Sequence, residues 1–189
     1  GTTIARRTAR KLGWDLYTQE HLEFLSANEV ARSQVQDGVP AGGVAWAEEQ
    51  LDHLRSAGVI GPNSELNELA RLLLLLAARG HVVLVGRGAG FFLPRETTLH
   101  ARIVAPPEDR VAHMAQSLRL TREEAAEQVR QRDEKRLDFL VRHFQRRLIE
   151  LYDFDLVLNS CLLGEELSAD LIVAAVHGKQ RLRERAQEQ

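Results

Sequence analysis

The chain has 189 residues, with 25 Lys and Arg against 27 Asp and Glu, a formal net charge of −2. That length suits one domain with a sizeable core, and the near-neutral balance gives no general reason to expect a nucleic-acid or membrane-surface protein. Hydrophobic residues make up 44% and charged residues 28%, as in ordinary soluble globular proteins.

Residues 2–12 read as a helix. Ile4, Ala5, Thr8, Ala9 and Leu12 fall on one face, Arg6, Arg7, Arg10 and Lys11 surround the rest, and Gly13 stops it. Residues 14–17 form a short strand candidate. Thr18 caps a second helix over residues 19–32, with Leu22, Leu25 and Val30 as its apolar positions. Residues 36–43 contain Gly38, Pro40, Gly42 and Gly43 and read as a loop, followed by a helix over 44–56 and a turn over 58–63. Ser64 caps a strong helix closed after Arg79 by Gly80. Its leucine run, residues 72–76, lacks β-branched residues and is apolar nearly all round, which predicts a deeply buried helix. The longest apolar stretch, residues 72–78, is far too short to cross a bilayer, and the basic, polar start lacks the apolar core of a signal peptide.

Residues 81–85 are short, β-branched and followed by glycines, which predicts a buried strand. Residues 86–94 read as a loop and 99–105 as another strand. Pro106 and Pro107 end that strand, and Pro107 suits the first turn of a helix with Glu108 and Asp109 at its positive end. Thr121 and Glu124 form a capping box opening a charged helix that runs past Arg136. Residues 154–159 give a last strand, 165–177 a last helix, and 179–189 a polar, frayed tail. Strands alternating with helices predict a parallel α/β sheet with right-handed crossovers. The single cysteine, Cys161, forms no internal disulfide and no metal-site spacing, so a reducing, cytoplasmic setting is the plain reading.

Four features could carry chemistry. Gly1-Thr2-Thr3 opens a helix, where backbone N–H groups face anions and a hydroxyl sits near them; the same residues also suit a plain N-cap. Gly86-Arg87-Gly88-Ala89-Gly90 follows a strand, where loops of open α/β sheets bind ligands. Its glycines allow close approach and Arg87 offers a fork for phosphate, although Phe91 stands where a dinucleotide fingerprint has its last glycine. The third feature runs from Arg130 to Arg147. It holds seven basic and three acidic residues, a net of +4, with Arg132 and Arg136 on one helix face beside Asp133. Such a face can close over phosphates as a lid, or be a solvated surface. The fourth is Asp109-Arg110 at a strand end, which helix-dipole compensation explains equally well.

In chain order, the stretches Gly1-Thr-Thr-Ile-Ala, Leu12-Gly-Trp-Asp-Leu-Tyr and Val83-Leu-Val-Gly-Arg-Gly-Ala-Gly resemble the cytidylate-kinase-like family of P-loop nucleoside-monophosphate kinases. So do Ile103-Val-Ala-Pro-Pro-Glu-Asp-Arg-Val, Gln131-Arg-Asp-Glu-Lys-Arg and Tyr152-Asp-Phe-Asp-Leu-Val-Leu-Asn. The resemblance implies a three-layer P-loop kinase-like fold, a parallel sheet flanked by helices with a helical lid. It implies one domain over residues 1–178, with a monophosphate-binding region at about 18–80 and a lid at about 119–147. It implies transfer of the γ-phosphoryl group of ATP to CMP or dCMP with Mg2+. It places Gly1, Thr2 and Thr3 at the ATP phosphates, with Thr2 near the magnesium. Arg87, Gly88 and Asp133 fall at the monophosphate, and Arg132 and Arg136 at the transferring group. The implied partner is a small nucleotide, with no nucleic acid, no membrane and an open oligomeric state.

Three departures accompany the resemblance. Thr18 and Asn159 stand where relatives carry aspartates, and no Gly-x-x-x-x-Gly-Lys-Ser/Thr loop occurs; Lys11, Lys135 and Lys179 are the only lysines and none fits it. The expectation is therefore of a sequence truncated after the loop lysine, lacking the family's first, central strand, with a gap in the core and little or no kinase activity. A degenerate domain that binds nucleotide or a partner without turnover, and a kinase for another small molecule, remain the alternatives.

Overall fold

A computed structural model describes residues 1–61, 64–144 and 151–188. The expected cap by the Ser64 side chain, the turn residue Asn63, the arginines Arg146 and Arg147, and the last tail residue lie outside the described residues. The described elements run α1 Thr2–Leu12, β1 Asp15–Tyr17, α2 Gln19–Ala27, α3 Glu29–Asp37, α4 Ala41–Ser56, α5 Ser64–Arg79 and β2 Val82–Leu84. They continue with α6 Ala89–Phe92, β3 Ala101–Val104, α7 Pro107–Leu118, α8 Arg122–Phe144, a 3-10 turn Leu151–Asp153, β4 Leu156–Asn159 and α9 Ser160–Gln187.

The leucine run of α5 organises the main core. Leu72, Leu73, Leu74, Leu75 and Leu76 are all buried, because α5 contacts α2, α3, α4, α6 and β2 and has no solvent side along that stretch. Burying each such leucine stabilises the fold by roughly 1.5–3 kcal/mol. A second, smaller cluster of Val111, Ala125 and Val129, backed by Met114, Ala115 and Leu120, joins α7 to α8. The far end of α8 reaches the main core through Phe139 and Leu140.

Several local expectations change. The helix expected over residues 19–32 is two helices, because Asn28 leaves the helical region at φ −115° and its side chain accepts from the Ala31 N–H at 3.0 Å, capping α3. Val30, expected to be a core position, is therefore exposed. The loop expected over 36–43 is shorter: α4 starts at Ala41 and carries Gly42 and Gly43 inside it, where a Cβ at Gly43 would meet Val39 at 2.8 Å. The loop after β2 contains the short helix α6. The tail expected to fray is helical to Gln187, and Lys179 Nζ donates to Asp155 Oδ1 and to the Thr98 carbonyl, both at 2.8 Å. Gly164, at φ 72° and ψ 171°, breaks α9 near its start.

The strands pair in parallel, β1 with β2 and β3 with β4, but the two pairs form separate sheets among the described residues. The single sheet that the alternation predicts is thus not formed: no described strand lies between β2 and β3. The pairs are spanned instead by α1, which contacts β1, β2 and α9, and by α9, which contacts β3 and β4. Ion pairs fasten α1 to α9, from Arg7 to Glu166 at 2.7 Å and from Lys11 to Glu166 at 2.6 Å and Asp170 at 2.7 Å.

In the β1–β2 ladder Asp15 donates to His81 and Val85 to Tyr17, so Val83 faces β1 while Val82 and Leu84 turn their amides the other way. In the β3–β4 ladder Leu156 donates to His100, so Arg102 and Val104 face β4 while Ala101 and Ile103 turn away from it. Hydrogen–deuterium exchange followed by NMR should therefore show Val83 and Arg102 protected, and Val82, Leu84, Ala101 and Ile103 exchanging faster despite lying in strands. Equal protection of both sets would contradict separate sheets.

Candidate functional site

The edges turned away from the pairing strands open on one cavity of about 2280 Å³. Residues 82–85 and 99–105 line its walls, and the start of α1, the loop after β2 and a long stretch of α8 line its rim. All eight residues singled out in the sequence, Gly1, Thr2, Thr3, Arg87, Gly88, Arg132, Asp133 and Arg136, border this one space.

The start of α1 presents backbone donors. The helical ladder begins with Ala5 donating to Gly1 at 3.0 Å, and Gly1 has no side chain to cap the turn. The N–H groups of Thr2, Thr3 and Ile4 have no intrahelical acceptor, and the helix dipole adds partial positive charge there.

Three consecutive residues after β2 lie at positive φ: Gly86 at 87°, Arg87 at 52° and Gly88 at 67°. At Gly86 the positive φ is what favours glycine, since a Cβ there would make only ordinary contact with the Gln19 side chain at 3.4 Å. Arg87 is not a glycine, and a left-handed conformation costs it on the order of 1 kcal/mol. Side-chain contacts offset that strain. Its Nη2 pairs with Glu23 Oε1 at 2.7 Å, and its guanidinium carbon stands 5.3 Å from the centre of the Phe139 ring. Arg87 thereby ties the β2 loop to both α2 and α8.

On α8, Asp133 Oδ1 accepts from Arg110 Nη1 at 2.8 Å. That bond, with Arg136 nearby, holds the Asp133 carboxyl below the usual carboxylate range. The basic segment divides by function of position. Arg130 is taken up by Glu127 at 2.6 Å and Glu134 at 2.5 Å and does not line the cavity. Arg132, Lys135, Arg136 and Arg142 do line it, and none has a carboxylate within 4.0 Å among the described residues. These four cations therefore border the cavity without a close ion pair among the described residues, although carboxylates such as Asp109, Asp133 and Asp138 line the same space.

Neighbouring groups complete the surroundings. His100 is buried at the cavity wall with Nε2 unpartnered, and burial pushes its ring below the ordinary histidine value. Asp109, beside Cys161, pushes that exposed thiol up. The two positions that depart from the family's aspartates are both helix caps. Thr18 accepts from the His21 N–H at 3.4 Å, and Asn159 from the Cys161 N–H at 3.0 Å. Thr and Asn both serve well at N-caps, which accounts for these residues here. Among the described residues no group of three or more His, Cys, Asp or Glu side chains could hold a metal ion, and no helix is long and apolar enough to cross a membrane.

The profile of the cytidylate kinase-like family matches residues 1–161. This chain belongs to that family. Among curated proteins it is similar to a cytidylate kinase from Ignicoccus hospitalis, 27% identical over 172 residues, covering 90% of this chain and 89% of the relative. Among solved structures it is similar to an uncharacterised protein from Eubacterium ventriosum, with a TM-score of 0.69 at 13% identity, covering 94% of this chain and 92% of the other. The structural likeness bears on the fold alone; it extends the helix-rich α/β arrangement over nearly the whole chain of a cytidylate kinase-like protein.

Glu23, Gln19 and Phe139 line the cavity and are not singled out by the sequence; Arg110 is, but its pairing with Asp133 is not. Gln19 and Glu23 are four apart on one helix, a readable spacing, but nothing local indicates that they meet Arg87.

The Asp133–Arg110 pair has a defined pH dependence. Asp133's carboxyl lies lower in the folded state than in the unfolded chain, near about 3.9. Its contribution is present above that unfolded value and is lost as pH falls through the lower folded value. Both partners are partly exposed, which limits the contribution to about 1 kcal/mol or less. Arg110→Ala should raise the pH at which Asp133 titrates, followed by carbonyl-carbon NMR; an unchanged titration would contradict the pairing.

Proposed function

We propose that the cleft binds ATP and a nucleoside monophosphate, most specifically CMP or dCMP, and transfers the γ-phosphoryl group between them. The observation that carries this reading is the convergence of Arg132, Lys135 and Arg136, with no ion pair within 4.0 Å among the described residues, on the cavity that also holds the free N–H groups of α1 and the Arg87 loop. Cations not held in close ion pairs and a helix start are what a polyphosphate needs. In the reaction an oxygen of the monophosphate attacks the γ-phosphorus and the bond from γ-phosphorus to the departing diphosphate breaks. Charge spreads over the transferring oxygens, and positioned cations stabilise it.

In this reading Gly1, Thr2 and Thr3 hold ATP phosphates, Arg87, Gly88 and Asp133 hold the monophosphate, and Arg132 and Arg136 stabilise the group in transfer. Residues 18–80 form the monophosphate region; Gly43, Trp46, Ala77 and Ala78 bring α4 and α5 to the same cavity. Residues 119–147 form the lid; the small core with α7 supports its start, and Phe139 and Leu140 tie its far end to the main core. The side chains fit a triphosphate better than a bare metal. Thr2 is the hydroxyl placed to touch magnesium, and the nucleotide's own oxygens would supply most of its ligands. When bound, magnesium neutralises phosphate charge.

A second reading is nucleotide binding without transfer. Calorimetry with CMP, UMP, AMP, GMP and Mg-ATP, alongside a turnover assay on the same protein, separates the two. The kinase reading expects CMP bound most tightly, with Arg132→Ala and Arg136→Ala each weakening nucleotide binding by about tenfold. Binding without turnover favours the second reading. Nucleotide affinities unchanged in both variants would contradict both readings.

A further inference from the structure

We propose that Glu23 is a positioning residue for this site, holding the Arg87 guanidinium so that its remaining donors face the monophosphate. This rests on the reading of Arg87 as an anion ligand and adds to it a residue on a different helix, far from Arg87 in sequence.

Four observations support it. Glu23 Oε1 lies 2.7 Å from Nη2 of Arg87, and a guanidinium carries five N–H donors, more than one carboxylate oxygen takes up. The same oxygen accepts from Gln19 Nε2 at 2.9 Å, so the carboxylate is itself held from one turn earlier on α2. Phe139 covers the guanidinium from α8, fixing its plane while Glu23 fixes its direction. Finally, Arg87 pays for its left-handed backbone at φ 52° between two glycines, a conformation that persists only where surrounding contacts over-determine it. Gln19, Glu23, Arg87 and Phe139 all line the cavity, so the held guanidinium lies at the ligand space and not behind it.

A free arginine side chain samples many rotamers and loses that freedom on binding a ligand. A guanidinium already fixed by Glu23 and Phe139 binds an anion with less of that loss. Glu23 thus acts through Arg87, and its effect depends on Arg87 being present.

The test is a double-mutant cycle read by calorimetric titration of the full chain with CMP, with thermal melts to confirm that each variant is folded. Arg87→Ala should weaken CMP binding by about tenfold or more, Glu23→Ala by about three- to tenfold, and the double variant no further than Arg87→Ala alone. Glu23→Gln keeps an acceptor for the guanidinium and should recover much of the loss, a rescue that a purely structural role of the carboxylate in α2 would not require. If Arg87→Ala binds CMP like the unsubstituted chain, or if the unsubstituted chain does not bind CMP, the reading of Arg87 fails and the inference with it. If Arg87→Ala weakens binding while Glu23→Ala leaves it unchanged, tightens it, or adds its full effect in the double variant, the inference alone is overturned.

Discussion

Two parallel strand pairs held apart by helices, their unpaired edges facing each other, set the rest of this structure. β2 and β3 each satisfy one side of their backbone and turn the other toward a common space. The loop leaving β2 and the residues around the end of β3 both line that space, as loops at the carboxyl ends of strands do in ligand-binding α/β proteins. The start of α1 and the rim of α8 meet those loops. What draws the functional residues together is thus the alignment of strand ends, held by the packing of α1 on α9 and of α5 beneath β2.

Charge pairing then sorts the arginines. Some outside the cavity are neutralised locally, as Arg7 is by Glu165 and Glu166 and Arg130 by Glu127 and Glu134. Arg87 and Arg110 are paired but still border the cavity, and Arg132, Arg136 and Arg142 border it without a carboxylate within reach among the described residues. A protein with a net charge of −2 can therefore present a cleft whose basic side chains outnumber the acidic ones that also line it, such as Glu23, Asp109, Asp133 and Asp138. Membership of the cytidylate kinase-like family gives that cleft a chemical context in phosphate transfer.

Much of the fold was legible because local signals were strong. The Thr2–Leu12 face, the leucine run of α5, the Pro107 start of α7 and the Thr121–Glu124 capping box each identify an element to within a residue or two. The misreadings share a cause in tertiary context. Gly42 and Gly43 looked like loop residues, yet one of them lets α4 approach Val39 and Ala78 closely inside a helix. Asn28 broke a helix where the apolar spacing ran on, because its side chain caps the next one. The polar tail holds its helix because Lys179 reaches Asp155 and Thr98. The site residues were readable as motifs, since glycines and clustered arginines are visible in one dimension. Their partners were not: Glu23 and Phe139, and the pairing of Arg110 with Asp133, gain meaning only from contacts made across the fold.

The most direct test of a single converging cleft is amide chemical-shift mapping by NMR as CMP and then Mg-ATP are added to the isotopically labelled chain. Convergence predicts that Thr2 and Thr3, Arg87 and Gly88, and Arg132, Asp133 and Arg136 all shift together on saturation, while the exposed turn around Gly58 does not. Shifts confined to one of these segments, or lying wholly outside them, would contradict it.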